Sequence, residues 1–174
     1  AGASLVYCTP FNRVIALHPG TGEQRWEFDP QINRGGDRPF RCRGVSYARV
    51  GGETAGHCAH RLFLATHDRK LWALDAATGK PCEAFGNQGV ITLYGAEGFA
   101  PGDVSNSSAP VVANGVVVVG STVIDFARAK TPRGIVAAFD AVTGAPRWQF
   151  DPLQGYPDSG SANVWAPMSV DAQH

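Results

Sequence analysis

Carboxylates, thiols and imidazoles are the groups in this 174-residue chain that could do chemistry, and their spacing says what each is suited to. Asp75 and Asp140 sit in near-identical segments, Ala73-Leu74-Asp75-Ala76-Ala77-Thr78-Gly79 and Ala138-Phe139-Asp140-Ala141-Val142-Thr143-Gly144. A carboxylate at the start of such a turn can accept hydrogen bonds from the backbone N–H groups that follow it. The glycine that closes the segment can take the positive φ a tight turn needs. These aspartates are therefore read as turn formers that stabilise the fold, not as acid–base residues. A looser copy, Ala16-Leu17-His18-Pro19-Gly20-Thr21-Gly22, places His18 where the others have aspartate and is read as a degenerate repeat. Cys8, Cys42, Cys58 and Cys82 show no C-x-x-C spacing, which argues against a zinc ribbon. In an oxidising compartment they can pair. Four cysteines allow three full pairings, and the sequence does not choose among them.

The recurrence of these segments prescribes the elements that must carry them. The Thr-Gly pairs begin at Thr21, Thr78 and Thr143. A repeat of about 60 residues, roughly four strands long, points to a solenoid or propeller. Short β-branched and aromatic runs between turn residues predict strands over 4–7, 13–17 and 25–28 in a first unit. A second unit follows over 44–50, 61–66, 70–75 and 82–85, and a third over 109–113, 116–121, 135–140 and 147–150. Residues 164–170 are read as the opening strand of a fourth. Asn114-Gly115 between valine-rich strands is a hairpin signal. Trp26, Phe85 and Trp148 stand at similar offsets after the repeat and are expected to pack between neighbouring sheets. The fold class is thus all-β, a partial β-propeller with blades at 1–30, 42–86 and 107–151 and the start of a next blade at 163–174. Propellers close with about four to eight blades. The chain is accordingly expected to be an excerpt of a longer polypeptide.

Composition narrows the function classes. Fifteen basic and fifteen acidic residues cancel, so bulk charge gives no reason to expect nucleic acid binding. No apolar run, Val116–Val119 included, is long enough to span a bilayer. The stretch 87–106 is a long, glycine-rich excursion of the kind a compact domain keeps for function, and 122–133 is an insert between the second and third strands of the third unit.

Four segments, taken in order, resemble one family. Cys42-Arg43-Gly44-Val45-Ser46-Tyr47 is similar to a segment of the membrane-associated quinoprotein glucose dehydrogenases. Residues 61–89 look like the blade that follows it, Pro132-Arg133-Gly134 through Phe150-Asp151-Pro152 like the next, and Asn163-Val164-Trp165-Ala166-Pro167 like the one after that. The resemblance covers essentially the whole chain. It implies an eight-bladed propeller that binds pyrroloquinoline quinone with Ca²⁺ or Mg²⁺ against it. It further implies oxidation of a sugar or polyol alcohol of the glucose or quinate class, with electrons passed to a membrane quinone. The implied setting is the periplasm, with the full-length protein anchored to the inner membrane and the remaining blades completing the circle.

Residue by residue, the resemblance assigns Trp165 to stacking on the planar cofactor ring. It assigns Arg43 to a cofactor carboxylate, and Ser107 and Thr122 to hydroxyl contacts along the cofactor edge. Asp125 falls on the metal or substrate side, where a carboxylate suits a hard cation. Two departures bear on the substrate. Glucose dehydrogenases carry an Asp-Asn pair where Asp125 is followed by Phe126, which makes quinate or shikimate a rival to glucose. A histidine that some relatives place just before the Cys-Arg-Gly segment is absent, Pro39 and Phe40 occupying that stretch. The family's general base is an aspartate of a later blade. Asp68, Asp103 and Asp158 do not match its motif, so it is expected beyond His174, and this excerpt alone is expected to be inactive. The competing reading is a non-enzymatic periplasmic propeller of the kind that scaffolds outer-membrane protein assembly. Such a scaffold needs the repeat but not residues 42–47, Asp125 or Trp165.

Overall fold

Every regular element among the described residues is a β-strand. The computed structural model describes residues 3–34, 39–50, 56–93, 98–127 and 131–171. The first sheet holds β1 (Leu5–Cys8), β2 (Val14–Leu17) and β3 (Gln24–Phe28), in that order. The second holds β4 (Ser46–Arg49), β5 (His60–Ala65), β6 (Lys70–Asp75) and β7 (Val90–Thr92), again in chain order. Then come β8 (Val104–Ser105), β9 (Val111–Ala113), β10 (Val116–Val119), β11 (Thr122–Val123), β12 (Val136–Asp140) and β13 (Pro146–Phe150). Strands β9, β10, β12 and β13 form the third sheet, and β8 pairs with β11 as a separate two-stranded ribbon. Each neighbouring pair of strands is antiparallel. This is the partial propeller that the repeat predicts.

The alternation of side chains along a strand explains why the sheets stack. The middle sheet is apolar on both faces. Phe63, Ala65, Leu71 and Ala73 pack toward Val117, Val119, Ala137 and Phe139 of the third sheet. Leu62, Leu64 and Leu74 pack toward Val14, with Val6, Trp26 and Phe28 of the first sheet against them. The turn motif locks this stacking. A Cβ on Gly79 would lie 2.4 Å from the Trp26 indole, so only glycine lets the first sheet's tryptophan close on the second sheet's turn. On the other face, Gly86 N–H donates to the Thr143 carbonyl at 2.8 Å. The buried Arg61 guanidinium donates to the Ala141 and Val142 carbonyls at 2.9 and 2.7 Å. Two disulfides, Cys8–Cys42 and Cys58–Cys82, complete the frame.

Three sequence expectations are corrected. Residues 82–85 are not the fourth strand of the second sheet; that strand is β7. Cys82 is tied to Cys58 and its carbonyl accepts from Phe85 N–H at 2.8 Å, so the chain turns inward there and drops the fully buried Phe85 into the core. The edge strand resumes only after Gly89. The excursion over 87–106 consequently contains β7 and β8 and is less of a loop than its composition suggests. Residues 164–170 form no strand, although Val164 N–H donates to the Ser121 carbonyl at 3.0 Å. Of the three aromatic residues at repeat offsets, Trp26 and Phe85 pack between sheets; Trp148 lies on β13 at the edge of the third sheet, with no further sheet among the described residues for it to meet.

Candidate functional site

The ends of the sheets bring four of the five sequence-predicted residues together. Arg43 lies just before β4, Ser107 between β8 and β9, Thr122 at the start of β11, and Trp165 in the extended segment after β13. The Arg43 backbone N–H donates to the Ser107 carbonyl at 2.8 Å, and its guanidinium Nη1 donates to Ser107 Oγ. Ser107 Oγ and Thr122 Oγ1 are 2.9 Å apart, so one hydroxyl donates to the other. The guanidinium carbon of Arg43 stands 5.0 Å from the centre of the Trp165 ring, a cation–π contact. These four groups run from the buried Ser107 hydroxyl, through half-buried Thr122, to an exposed arginine and an indole 48% open to solvent.

Local packing fixes where Trp165 stands. Its carbonyl accepts from Ser108 Oγ, and Asn163 Oδ1 accepts from Val123 N–H. Ahead of it, Ser161 N–H donates to the Pro132 carbonyl at 2.9 Å. Gly134 takes φ 61°, and a Cβ there would fall 1.7 Å from the Ala162 carbonyl oxygen. The backbone preceding the tryptophan therefore lies directly on the start of the third sheet's β12 approach, which no larger residue would permit.

The fifth residue stands apart. Asp125 is exposed, two residues beyond β11, and takes no part in the hydrogen bonds that join Arg43, Ser107 and Thr122. As a ligand set for a hard cation the described residues offer little else. One trio, His57, Cys58 and Asp75, brings ligand atoms within 4.8 Å of one another. Its sulfur is committed to the Cys58–Cys82 disulfide. Asp75 is occupied as well, accepting from Cys58 N–H at 2.7 Å, Thr78 N–H at 2.9 Å, Ala77 N–H at 3.1 Å and the Thr78 hydroxyl. Burial alone would raise its pKa, but these bonds outweigh burial and hold the carboxyl below its ordinary value.

Sequence reasoning missed a second layer around the cluster. Arg69, at φ 66°, is buried and donates to Ser121 Oγ at 3.2 Å, next to Thr122 in the chain. His67 is buried under the Phe40 ring, with ring centres 4.6 Å apart, and borders a small cavity shared with Thr122. Both lie in the β5–β6 hairpin, where a strand-and-turn reading gave side chains no separate task. The one available signal was the presence of bulky, ionisable residues at a hairpin tip.

A family model described as "PQQ: Glucose/ethanol/alcohol dehydrogenase, beta-propeller domain" matches residues 1–174. The quinoprotein glucose dehydrogenase of Escherichia coli (strain K12) is 32% identical over 99% of this chain and 24% of its own length. The quinate/shikimate dehydrogenase (quinone) of Acinetobacter baylyi is 33% identical over 99% of the chain and again 24% of its own length. The chain thus spans about a quarter of these relatives. Among solved structures, the quinohemoprotein alcohol dehydrogenase of Comamonas testosteroni superposes with a TM-score of 0.64 at 27% identity, over 85% of this chain and 19% of that one.

Proposed function

The chain belongs to the glucose/ethanol/alcohol dehydrogenase β-propeller family, and on that premise we propose that it forms one side of the cofactor site of a pyrroloquinoline-quinone-dependent dehydrogenase. The observation that carries this reading is the convergence of Arg43, Ser107, Thr122 and Trp165 from four separate chain segments. Their chemistry fits a planar, carboxylate-bearing ring. A half-exposed indole offers a stacking face. The exposed Arg43 guanidinium, with Nη1 on the Ser107 hydroxyl, offers its other N–H groups as charge-assisted hydrogen bonds to a carboxylate. The Ser107–Thr122 pair pre-orients these donors, so little ordering remains to be done on binding.

Bound pyrroloquinoline quinone supplies a two-electron acceptor for alcohol oxidation. Arg43 neutralises cofactor charge, Ser107 and Thr122 fix its edge, and Trp165 covers one face and excludes water from it. Asp125 contributes one carboxylate toward a divalent cation or the substrate, and the described residues do not complete a metal site around it. The general base comes from elsewhere in the protein, as do the remaining blades. The substrate is a sugar or polyol alcohol of the glucose or quinate class, and a membrane quinone takes the electrons. The setting is the periplasm, at the inner membrane; two disulfides suit that oxidising compartment. No helix among the described residues is long and apolar enough to cross a membrane.

The test uses the full-length protein, reconstituted with pyrroloquinoline quinone and Ca²⁺ or Mg²⁺. Cofactor binding is read from tryptophan quenching and turnover from dye reduction with glucose and with quinate. Saturable binding that weakens in Trp165→Ala and Arg43→Gln is expected. Binding of equal strength in both variants overturns the assignment of these residues. The isolated 174-residue piece is expected to show no turnover, because a missing general base costs about 10²–10⁴-fold in rate.

A further inference from the structure

Arg41 differs from the other arginines of the described residues. Arg133 and Arg147 hold aspartates, Arg43 the Ser107 hydroxyl and Arg61 two backbone carbonyls, and the rest have partners of their own. The Arg41 guanidinium makes no hydrogen bond, ion pair or ring contact to the described residues. It is exposed and lines an open groove of about 40 Å³ beside the Arg43–Ser107–Thr122 chain. Arginine keeps its charge at any physiological pH, and no other residue of this lining carries a permanent charge.

Both chain neighbours of Arg41 are anchored. The Phe40 ring packs against those of Phe11 and His67, at 5.4 and 4.6 Å between centres, and Cys42 is tied to Cys8. The base of the side chain is therefore held while its charged end stays in solvent. Across the groove, Ser105 and Thr122 are register partners in the β8–β11 ribbon, so their hydroxyls share one face. Thr122 Oγ1 is bonded to Ser107, whereas the Ser105 hydroxyl makes no hydrogen bond to the described residues. No carboxylate of the described residues lines the groove. Asp103 accepts from Ala100 N–H at 2.9 Å, Asp68 accepts from the Thr66 hydroxyl at 2.6 Å and pairs with Lys70 at 3.1 Å, and Asp125 follows Ile124 without joining the lining. The groove thus sets a fixed positive charge and a free hydroxyl around a space with no anion of its own.

We propose that Arg41 and this groove receive the carboxylate of the substrate, and so select an alicyclic hydroxy acid of the quinate kind over a neutral sugar. The proposal rests on the functional reading above and adds the residue that decides which alcohol is accepted. Thr122 belongs both to the cofactor cluster and to the groove, so a head group held there leaves the rest of its molecule along the cofactor's edge. A water molecule's share of liquid volume is about 30 Å³, so the groove takes a carboxylate and keeps the substrate ring outside it. The guanidinium fork matches the two carboxylate oxygens, and such charge-assisted bonds are about twice as strong as those a neutral hydroxyl would make.

The test uses full-length holoenzyme with quinate, with the neutral amide of quinate, and with glucose. Wild-type enzyme should prefer quinate to its amide by roughly tenfold or more in kcat/KM, and the preference should shrink as salt is added. Arg41→Gln should bring acid and amide to within about twofold of each other, chiefly by raising KM for quinate. Arg41→Lys, which keeps the charge and loses the fork, should retain part of the preference. Cofactor affinity, read from tryptophan quenching without substrate, should match wild type in both variants, which also shows that they fold. Weakened cofactor binding in Arg41→Gln would mean that the groove holds a carboxylate of the cofactor, and would overturn the proposal. So would an equal loss for acid and amide, or a wild-type enzyme that oxidises glucose and not quinate. If wild-type protein binds no pyrroloquinoline quinone or oxidises none of these alcohols, the functional reading fails first and takes this proposal with it.

Discussion

The turns that close the repeats and the cluster at the sheet ends use similar residue types for opposite ends. At the Asp140 turn, one carboxylate oxygen accepts from Val142 N–H at 3.0 Å, Thr143 N–H at 2.8 Å and the Thr143 hydroxyl at 3.0 Å. The other accepts from Arg147 at 2.5 Å. The Asp75 turn repeats the pattern, with Cys58 N–H in place of the arginine. Both oxygens of each carboxylate are thus engaged. Around Trp165, by contrast, an arginine bonded through Nη1 to the inner Ser107 hydroxyl and an indole face each other at the surface, each with part of its side chain open to solvent. A polar group with all its partners inside the protein holds structure; one with a face left over can hold a ligand. Identity of the side chain alone does not separate the two.

That contrast is sharpest where a substitution should strike one region and spare the other. Phe85 is fully buried and meets Phe63 edge-on at 5.8 Å between ring centres. Phe85→Ala should cost about 3–5 kcal/mol of stability, read as a fall in the unfolding midpoint of the full-length protein. Cofactor affinity should follow only as far as folding fails. Trp165→Ala should do the reverse. Losing the stacking face should weaken cofactor binding by roughly 2 kcal/mol, about 30-fold, while the midpoint stays within error. A midpoint that falls as far as in Phe85→Ala would show Trp165 to be one more packing tryptophan. Arg43→Gln comes next: binding should weaken roughly tenfold at low ionic strength, and the variant should lose part of the wild type's salt sensitivity. Unchanged salt sensitivity would mean that Arg43 braces Ser107 and touches no anionic ligand.

How much of this was legible beforehand follows the same division. The Thr-Gly turns and the Asn114-Gly115 hairpin were readable because local backbone chemistry dictates them; Asn114 and Gly115 indeed take φ 47° and 76°. Residues 82–85 carry a local strand pattern, but a long-range bond from Cys82 to Cys58 decides the chain's path there. Arg43, Ser107, Thr122 and Trp165 were singled out through resemblance alone. Their approach depends on residues far apart in sequence, and no local pattern encodes it. Asp125 was selected on the same ground, and the structure leaves it exposed and outside the cluster. A histidine in a hairpin, such as His67, carries no signature in sequence until its burial and its neighbours are known.

The smallest effect expected concerns the turn carboxylates and has a definite sign in pH. The hydrogen bond from Arg147, then those from Thr143, hold the Asp140 carboxyl well below the ordinary carboxylate range, and burial opposes them only partly. In the unfolded chain the same group titrates near pH ~4. The folded state therefore binds fewer protons between that value and its own lower pKa, and stability falls as pH drops through this window. Asp140→Asn keeps one acceptor oxygen for the turn but removes the charge that Arg147 engages. It should cost about 1 kcal/mol at neutral pH and nearly nothing in strong acid, where the wild-type carboxyl is protonated too. Plotted against pH, the unfolding midpoints of wild type and variant should converge on the acid side. A constant gap from pH 7 down to pH 2 would mean that the carboxylate's charge contributes nothing to the turn, and that its shape alone supports the stacking of the sheets.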